Sequence, residues 1–208
     1  MILSIETATE MCSTALVHND AVLCERSVRE KNIHSERLLI LIDEVLKGSK
    51  IEKTQLDSIA VSIGPGSFTG LRIGLSVAKG LAMALRLPII AIPTLDGIAE
   101  GFRSGKKTES DAVFCAMIDA KREEAFFAFY SVTRNEISRL GDYTITRKSE
   151  ILAAALEQNA NILQPDISAV SIGMLACRRN SEFRIADFSQ LEPLYLRDFV
   201  ATLPKKKA

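Results

Sequence analysis

The residues best placed to do chemistry are Gly64-Pro65-Gly66-Ser67, which join an apolar run to a long stretch rich in glycine and alanine. A glycine turn feeding a helix N-terminus suits an anion, because free backbone N–H groups and the helix dipole both favour negative charge there. The two common phosphate loops are nevertheless incomplete. In a Gly-x-Gly-x-x-Gly fingerprint Thr69 stands where the third glycine belongs, and Pro65 removes a donor; no Gly-Lys-Ser/Thr follows for a Walker loop. The plainer reading is a tight turn with Ser67 as the N-cap of the next helix. His18 and His34 are the two histidines, and neither has a second imidazole or a cysteine at metal-ligand spacing. Cysteines 12, 24, 115 and 177 are too scattered for a compact zinc site and read as free thiols.

Positioning these groups requires regular elements, and the hydrophobic pattern supplies them in two rounds. Residues 2–6, 13–17 and 21–27 read as strands, 35–46 as a helix ending near Gly48, and 59–63 as a buried strand. A helix over 67–85, a strand over 89–92 and a helix over 95–102 complete the round. A polar segment, 103–111, marks the expected boundary. Strands over 112–118, 125–132 and 136–145 follow, then a helix over 149–158, a strand over 169–172 and a short helix over 173–178. A repeated βββαβα order predicts an α/β protein of two ribonuclease-H-like lobes, the architecture of actin and sugar kinases, with the second lobe reduced. The expected division is 1–102, a linker 103–111, and 112–208. The tail is patternless except for Pro193-Leu194-Tyr195-Leu196, expected to lie along one lobe, and Lys205-Lys206-Lys207 reads as a solvated end.

Lys plus Arg and Asp plus Glu number 26 each, so no net field draws the chain to nucleic acid or membrane. The N-terminus lacks a signal pattern. The most apolar span, 71–92, contains Arg72, Lys79, Arg86 and Pro88, which argues against a membrane crossing. The expected location is the cytoplasm.

In actin-like enzymes an acidic residue at the end of the first strand lies near magnesium and phosphate. Glu6 holds that place, and with Thr7, Gly64 and Gly66 it is the nucleotide candidate. The matching hairpin of the second lobe is Asp119-Ala120-Lys121-Arg122-Glu123, where bulky side chains replace the glycines that let backbone approach phosphate. Along the 67–85 helix, Gly66, Gly70, Gly74, Ala78 and Ala82 form a column of small residues. Glycine inside a helix costs about 1 kcal/mol against alanine, so close packing must offset it. Two partners fit: the chain's own sheet, or a helix of another protein.

Together Ile2-Leu3-Ser4-Ile5-Glu6-Thr7-Ala8-Thr9, the run from Gly64 through Arg72 to Gly74, Ala78-Lys79-Gly80-Leu81-Ala82, Ile118-Asp119-Ala120-Lys121-Arg122-Glu123-Glu124 and Pro193-Leu194-Tyr195-Leu196-Arg197 resemble the bacterial TsaB family, also called YeaZ. The resemblance spans nearly the whole chain. It implies a part in forming N6-threonylcarbamoyladenosine on the tRNA adenosine beside the anticodon. There the related TsaD transfers the threonylcarbamoyl group, TsaB is its partner, and the ATPase TsaE joins them. TsaD proteins carry a metal-binding His-x-x-x-His whose matching positions here are Thr94 and Ile98; neither offers an imidazole.

The resemblance thus implies a scaffold without catalytic residues, cofactor or metal of its own. It would pair with TsaD through Leu38, Ile42, Ser67, Gly70, Gly74, Ala78 and Ala82, form a homodimer through the same face when alone, and meet tRNA only through the complex. The alternative is a small ATPase or metal-dependent hydrolase built on Glu6 and the Gly64 turn. A metalloprotease, suggested by the superfamily's earlier naming as glycopeptidases, is a third reading that lacks its paired histidines here.

Overall fold

The computed structural model describes residues 1–30, 33–105, 112–134, 136–164 and 167–196. Most of the expected linker (106–111), Arg197 of the tail motif and the terminal lysines lie outside them.

Five layers stack in the order helix pair, sheet, helix pair, sheet, helix. The first sheet contains β1 (Ile2–Glu6), β2 (Met11–His18), β3 (Ala21–Arg29), β4 (Ser58–Gly64) and β5 (Ile89–Pro93). Its order is β10-β5-β4-β1-β2-β3, with β10 (Arg184–Ile185) arriving from the far end of the chain. β1 runs parallel to β4 and antiparallel to β2, which is the ribonuclease-H-like arrangement. The second sheet repeats it with fewer strands, as β8-β7-β6-β9, from β6 (Ala112–Lys121), β7 (Glu124–Thr133), β8 (Glu136–Arg147) and β9 (Asn161–Leu163). The chain therefore has the two-lobed, actin-like α/β fold.

Period-two alternation assigns each face. On β1, Leu3 and Ile5 point outward to α1 (His34–Ser49) and α2 (Phe68–Leu85), packing with Leu38, Leu41, Val45, Leu75 and Ala78. Ile2 faces the other way, into the core that joins the two sheets. That core holds Ile98 of α3 (Thr94–Gly105), Ile172 of α5 (Ala169–Arg178), and Phe114, Ala116 and Ile118 of β6. The alternate β6 residues, Cys115 and Met117, face α4 (Lys148–Glu157) through Ile151 and Ala155. By length and composition α2 is the one helix among the described residues able to cross a bilayer. Its buried face is filled by the chain's own sheet.

One element differs in kind from the sequence expectation. Residues 169–172 are not a strand: helix α5 begins at Ala169, capped by Ser168, whose hydroxyl accepts from the Val170 N–H. The strand expected there is β9, which pairs parallel with β6 through Asn161, Ile162 and Leu163. Ala169 is pinned to the first sheet from both ends of its peptide: its N–H donates to Ser13 Oγ at 2.8 Å, and its carbonyl accepts from Ser4 Oγ at 2.6 Å. Gly173 is required one turn later, because a Cβ there would meet Val17 Cγ2 at 2.6 Å. Residues 169–196, grouped by sequence with the second lobe, thus return to the first. After α6 (Asn180–Phe183) and β10 the chain passes along α2, with Phe188 and Leu191 against the outer core. α1 also outruns its expected stop at Gly48, ending at Ser49 with left-handed Lys50 as its cap.

Candidate functional site

The turn after β4 is built around the β1–β2 connection. Ser67 caps α2 by accepting from Gly70 N–H at 3.2 Å, as its position in the sequence implies. Its own N–H donates to the Ala8 carbonyl at 2.7 Å. Gly66 has no room for a side chain because Ala8 backbone fills the space. Gly64, at φ 115°, donates its N–H to Thr94 Oγ1 at 3.1 Å and lies under the Leu194 carbonyl, where a Cβ would sit 2.7 Å away. Leu194 itself donates to the Ile63 carbonyl at 2.6 Å, which fastens the tail to the turn. The glycines that suggested a phosphate cradle therefore receive protein backbone, and the N–H groups of Gly64 and Ser67 bond within the chain.

Glu6 ends β1 with no exposure. Ala8 N–H donates to its Oε1 at 2.5 Å, while Oε2 has no partner among the described residues. Desolvation pushes this carboxyl up from 4.5 to about 7; the nearby Ser62 hydroxyl and the Ala8 N–H pull it back only in part. Ser62 Oγ lies beside the carboxyl but outside hydrogen-bonding geometry. Thr7 is equally buried and its hydroxyl also lacks a partner among the described residues. Glu6, Thr7, Gly64 and Gly66 do come together at one end of the sheet, enclosed rather than open.

The two positions matching a metal-binding histidine pair are likewise committed. Thr94 is buried with its hydroxyl on Gly64, and Ile98 is packed in the core between the sheets. Among the described residues no three His, Cys, Asp or Glu side chains cluster as metal ligands would. His34 is nearly buried, its Nε2 3.3 Å from the Met11 carbonyl.

The expected partner residues need correction. Leu38 and Ile42 are 1% and 4% exposed, and Gly70, Gly74, Ala78 and Ala82 are all buried in the chain's own lobe; only Ser67 is exposed. Thr7 explains the glycines. Its carbonyl occupies the space of a Gly70 side chain and its hydroxyl that of a Gly74 side chain. Of the two packings open to a small-residue column, close approach to the chain's own β1–β2 connection is the one adopted.

The opposite faces of the same helices are exposed. On α1 these include Leu39 at 58% and Ile40 at 45%; on α2 they include Ser76, Gly80, Ala84 and Met83, the last at 73%. The residues expected at a partner interface, Ser67 excepted, thus lie on the inner faces of α1 and α2. Gly80 is a helix-interior glycine outside the buried column, and no neighbouring group among the described residues comes within 4 Å of where its Cβ would be.

Residues 28–202 match the family model for TsaD, tRNA N6-adenosine threonylcarbamoyltransferase. The chain is 31% identical to the tRNA threonylcarbamoyladenosine biosynthesis protein TsaB of Escherichia coli K12, over 99% of each protein. It is 34% identical to the Haemophilus influenzae protein of the same name, over 79% of this chain and 68% of that one. The YeaZ structure from Pseudomonas aeruginosa shares the fold, with a TM-score of 0.76 and 24% identity over 94% of this chain and 99% of that one. The chain belongs to the TsaB (YeaZ) family.

Proposed function

We propose that this protein serves tRNA N6-threonylcarbamoyladenosine synthesis as a scaffold rather than a catalyst, binding and stabilising a TsaD-type transferase together with TsaE. The observation that carries this reading is the filled site. The glycines of the turn hold Ala8 and Leu194 backbone, Glu6 is sealed from solvent, and Thr94 and Ile98 stand where a metal-binding relative has histidines. Catalytic residues must reach a substrate, and the burial of Glu6, Thr94 and Ile98 supports the non-catalytic reading.

The docking surface is the exposed side of α1 and α2. Three large apolar groups, Leu39, Ile40 and Met83, project from these helices. Gly80 supports the same reading from energetics. An unfilled glycine in a helix interior costs about 1 kcal/mol, and no packing among the described residues offsets it. A partner helix approaching that backbone would. In the organisation we propose, residues 1–102 supply the docking lobe, and a second copy of the chain takes the same surface when the transferase is absent.

The test is co-expression with TsaD and TsaE and a tRNA-modification assay with and without this chain, with calorimetry on the isolated chain and magnesium-ATP beside it. Modification that depends on the chain, with no turnover by the chain alone, is the expected result. Undiminished modification in its absence, or tight ATP binding with turnover by the isolated chain, would overturn the proposal.

A further inference from the structure

A cavity of about 350 Å³ opens on the opposite side of the first sheet from the α1–α2 face, between α3, the end of α5, and strands β7 and β8. Its size falls within the range of small-molecule sites. Asp96, Glu100 and Arg103 line one wall, spaced so that one face of α3 carries all three. Glu100 and Arg103 form a buried two-bond pair, Arg103 Nε reaching Oε2 at 3.0 Å and Nη2 reaching Oε1 at 2.6 Å; Arg178 Nε adds a contact to Oε1 at 3.2 Å. That carboxylate is fully met by guanidinium groups.

Asp96 is different. Its half-buried carboxylate accepts from the buried Tyr130 hydroxyl at 2.7 Å, with Tyr143 as a second phenol beside it. Burial and this negative neighbour push both phenols well above their ordinary range, so they stay protonated donors. No cation of the described residues pairs with Asp96. Across the opening Arg139 has the converse property. Its guanidinium lies on the Tyr143 ring at 3.9 Å, and no carboxylate of the described residues pairs with it. A negative group without a cation and a positive group without an anion thus line one cavity, with Tyr143 touching both.

We propose that this cavity binds a small zwitterion of the free amino acid or dipeptide class, its ammonium received by Asp96 and its carboxylate by Arg139. A simple anion would satisfy Arg139 but leave Asp96 facing a second negative charge, and a simple cation would fail in the converse way. Because α3 and α5 pack on the first sheet while Arg139 belongs to the second, the ligand would bridge the two lobes.

The experiment is thermal unfolding and calorimetry of the full chain with the free amino acids and a set of dipeptides. Acetate, phosphate and methylamine serve as single-charge probes. The expected result is a raised Tm for a subset of the zwitterions, with affinity falling about tenfold or more in Asp96→Asn and in Arg139→Gln. Arg139 is exposed, so its variant carries the test if Asp96→Asn fails to fold. No response to any zwitterion, equal response to acetate or phosphate, or undiminished affinity in Arg139→Gln would overturn the proposal.

Discussion

The Thr7 hydroxyl occupies the space that any side chain at Gly74 would need. That hydroxyl has no hydrogen-bond partner among the described residues, so the contact is steric. Gly74→Ala gains up to about 1 kcal/mol of helix propensity but overpacks a tight site, which costs about 1–3 kcal/mol; a net loss of stability is expected. Thr7→Ala removes the obstructing atom together with an unpartnered buried hydroxyl. It should therefore be close to neutral alone and rescue Gly74→Ala. Urea unfolding of the two single variants and the double variant measures the coupling, and additive effects would show that the two residues do not compete for space.

Glu6 gives the stability a distinctive pH signature. Its folded-state value near 7 lies above its ordinary 4.5, because burial disfavours the charged form. The sign follows: its contribution is fully present below about 4.5 and is lost as pH rises through about 7. A shift of this size corresponds to about 3 kcal/mol. Glu6→Gln cannot ionise, so its stability relative to the parent should be flat below pH 4.5 and climb by about that amount by pH 8. Denaturant midpoints across that range read the difference. A constant offset would mean that Glu6 titrates normally.

The sequence discloses elements better than it discloses which way they face. Ser67 as an N-cap, the strand before it and the long helix after it follow from local chemistry and period, and the structure keeps all three. The facing of α2 does not follow. A column of small residues fits a neighbouring sheet as well as a foreign helix, and only the position of Thr7, the first residue of the β1–β2 connection, decides between them. Ala169, Val170, Ser171 and Ile172 read as a strand by sequence because four residues, three of them apolar, are too few to separate the two periods. What settles it is non-local: Ser4 and Ser13, on strands more than 150 positions away, hold the first turn of the helix. The filling of the Gly64 turn is non-local for the same reason, since Leu194 fastens to Ile63 from the opposite end of the chain.

The β6–β7 hairpin is strained where a nucleotide-binding relative would have glycine. Lys121, Arg122 and Glu123 all have positive φ, at 67°, 52° and 62°. A left-handed conformation costs a residue with a Cβ about 1–2 kcal/mol, whereas glycine adopts it freely but loses more entropy on folding. Arg122 is exposed at the tip, so its replacement removes little packing. Arg122→Gly should stabilise the chain by about 0.5–1 kcal/mol in equilibrium unfolding, while Arg122→Val, with a branched Cβ in the same conformation, should destabilise it. A gain from valine would place the strain elsewhere.

Gly80 separates partner binding from folding in one substitution. Its missing Cβ would point into open space on the exposed face of α2, so a larger residue there meets none of the described residues of the isolated chain. Gly80→Leu should raise the stability of the free protein by about 1 kcal/mol through helix propensity alone. If a partner helix crosses at that point, the added side chain holds the two backbones apart, and one bulky group at the centre of a close-packed interface costs at least as much again. The expected outcome is opposite signs: a higher denaturation midpoint for the chain alone, and loss of co-purification with the transferase and of self-association. Gly74→Leu offers the contrast, since it strikes Thr7 inside the lobe and should weaken folding and binding together. Wild-type recovery of the complex by Gly80→Leu would move the docking surface off α2.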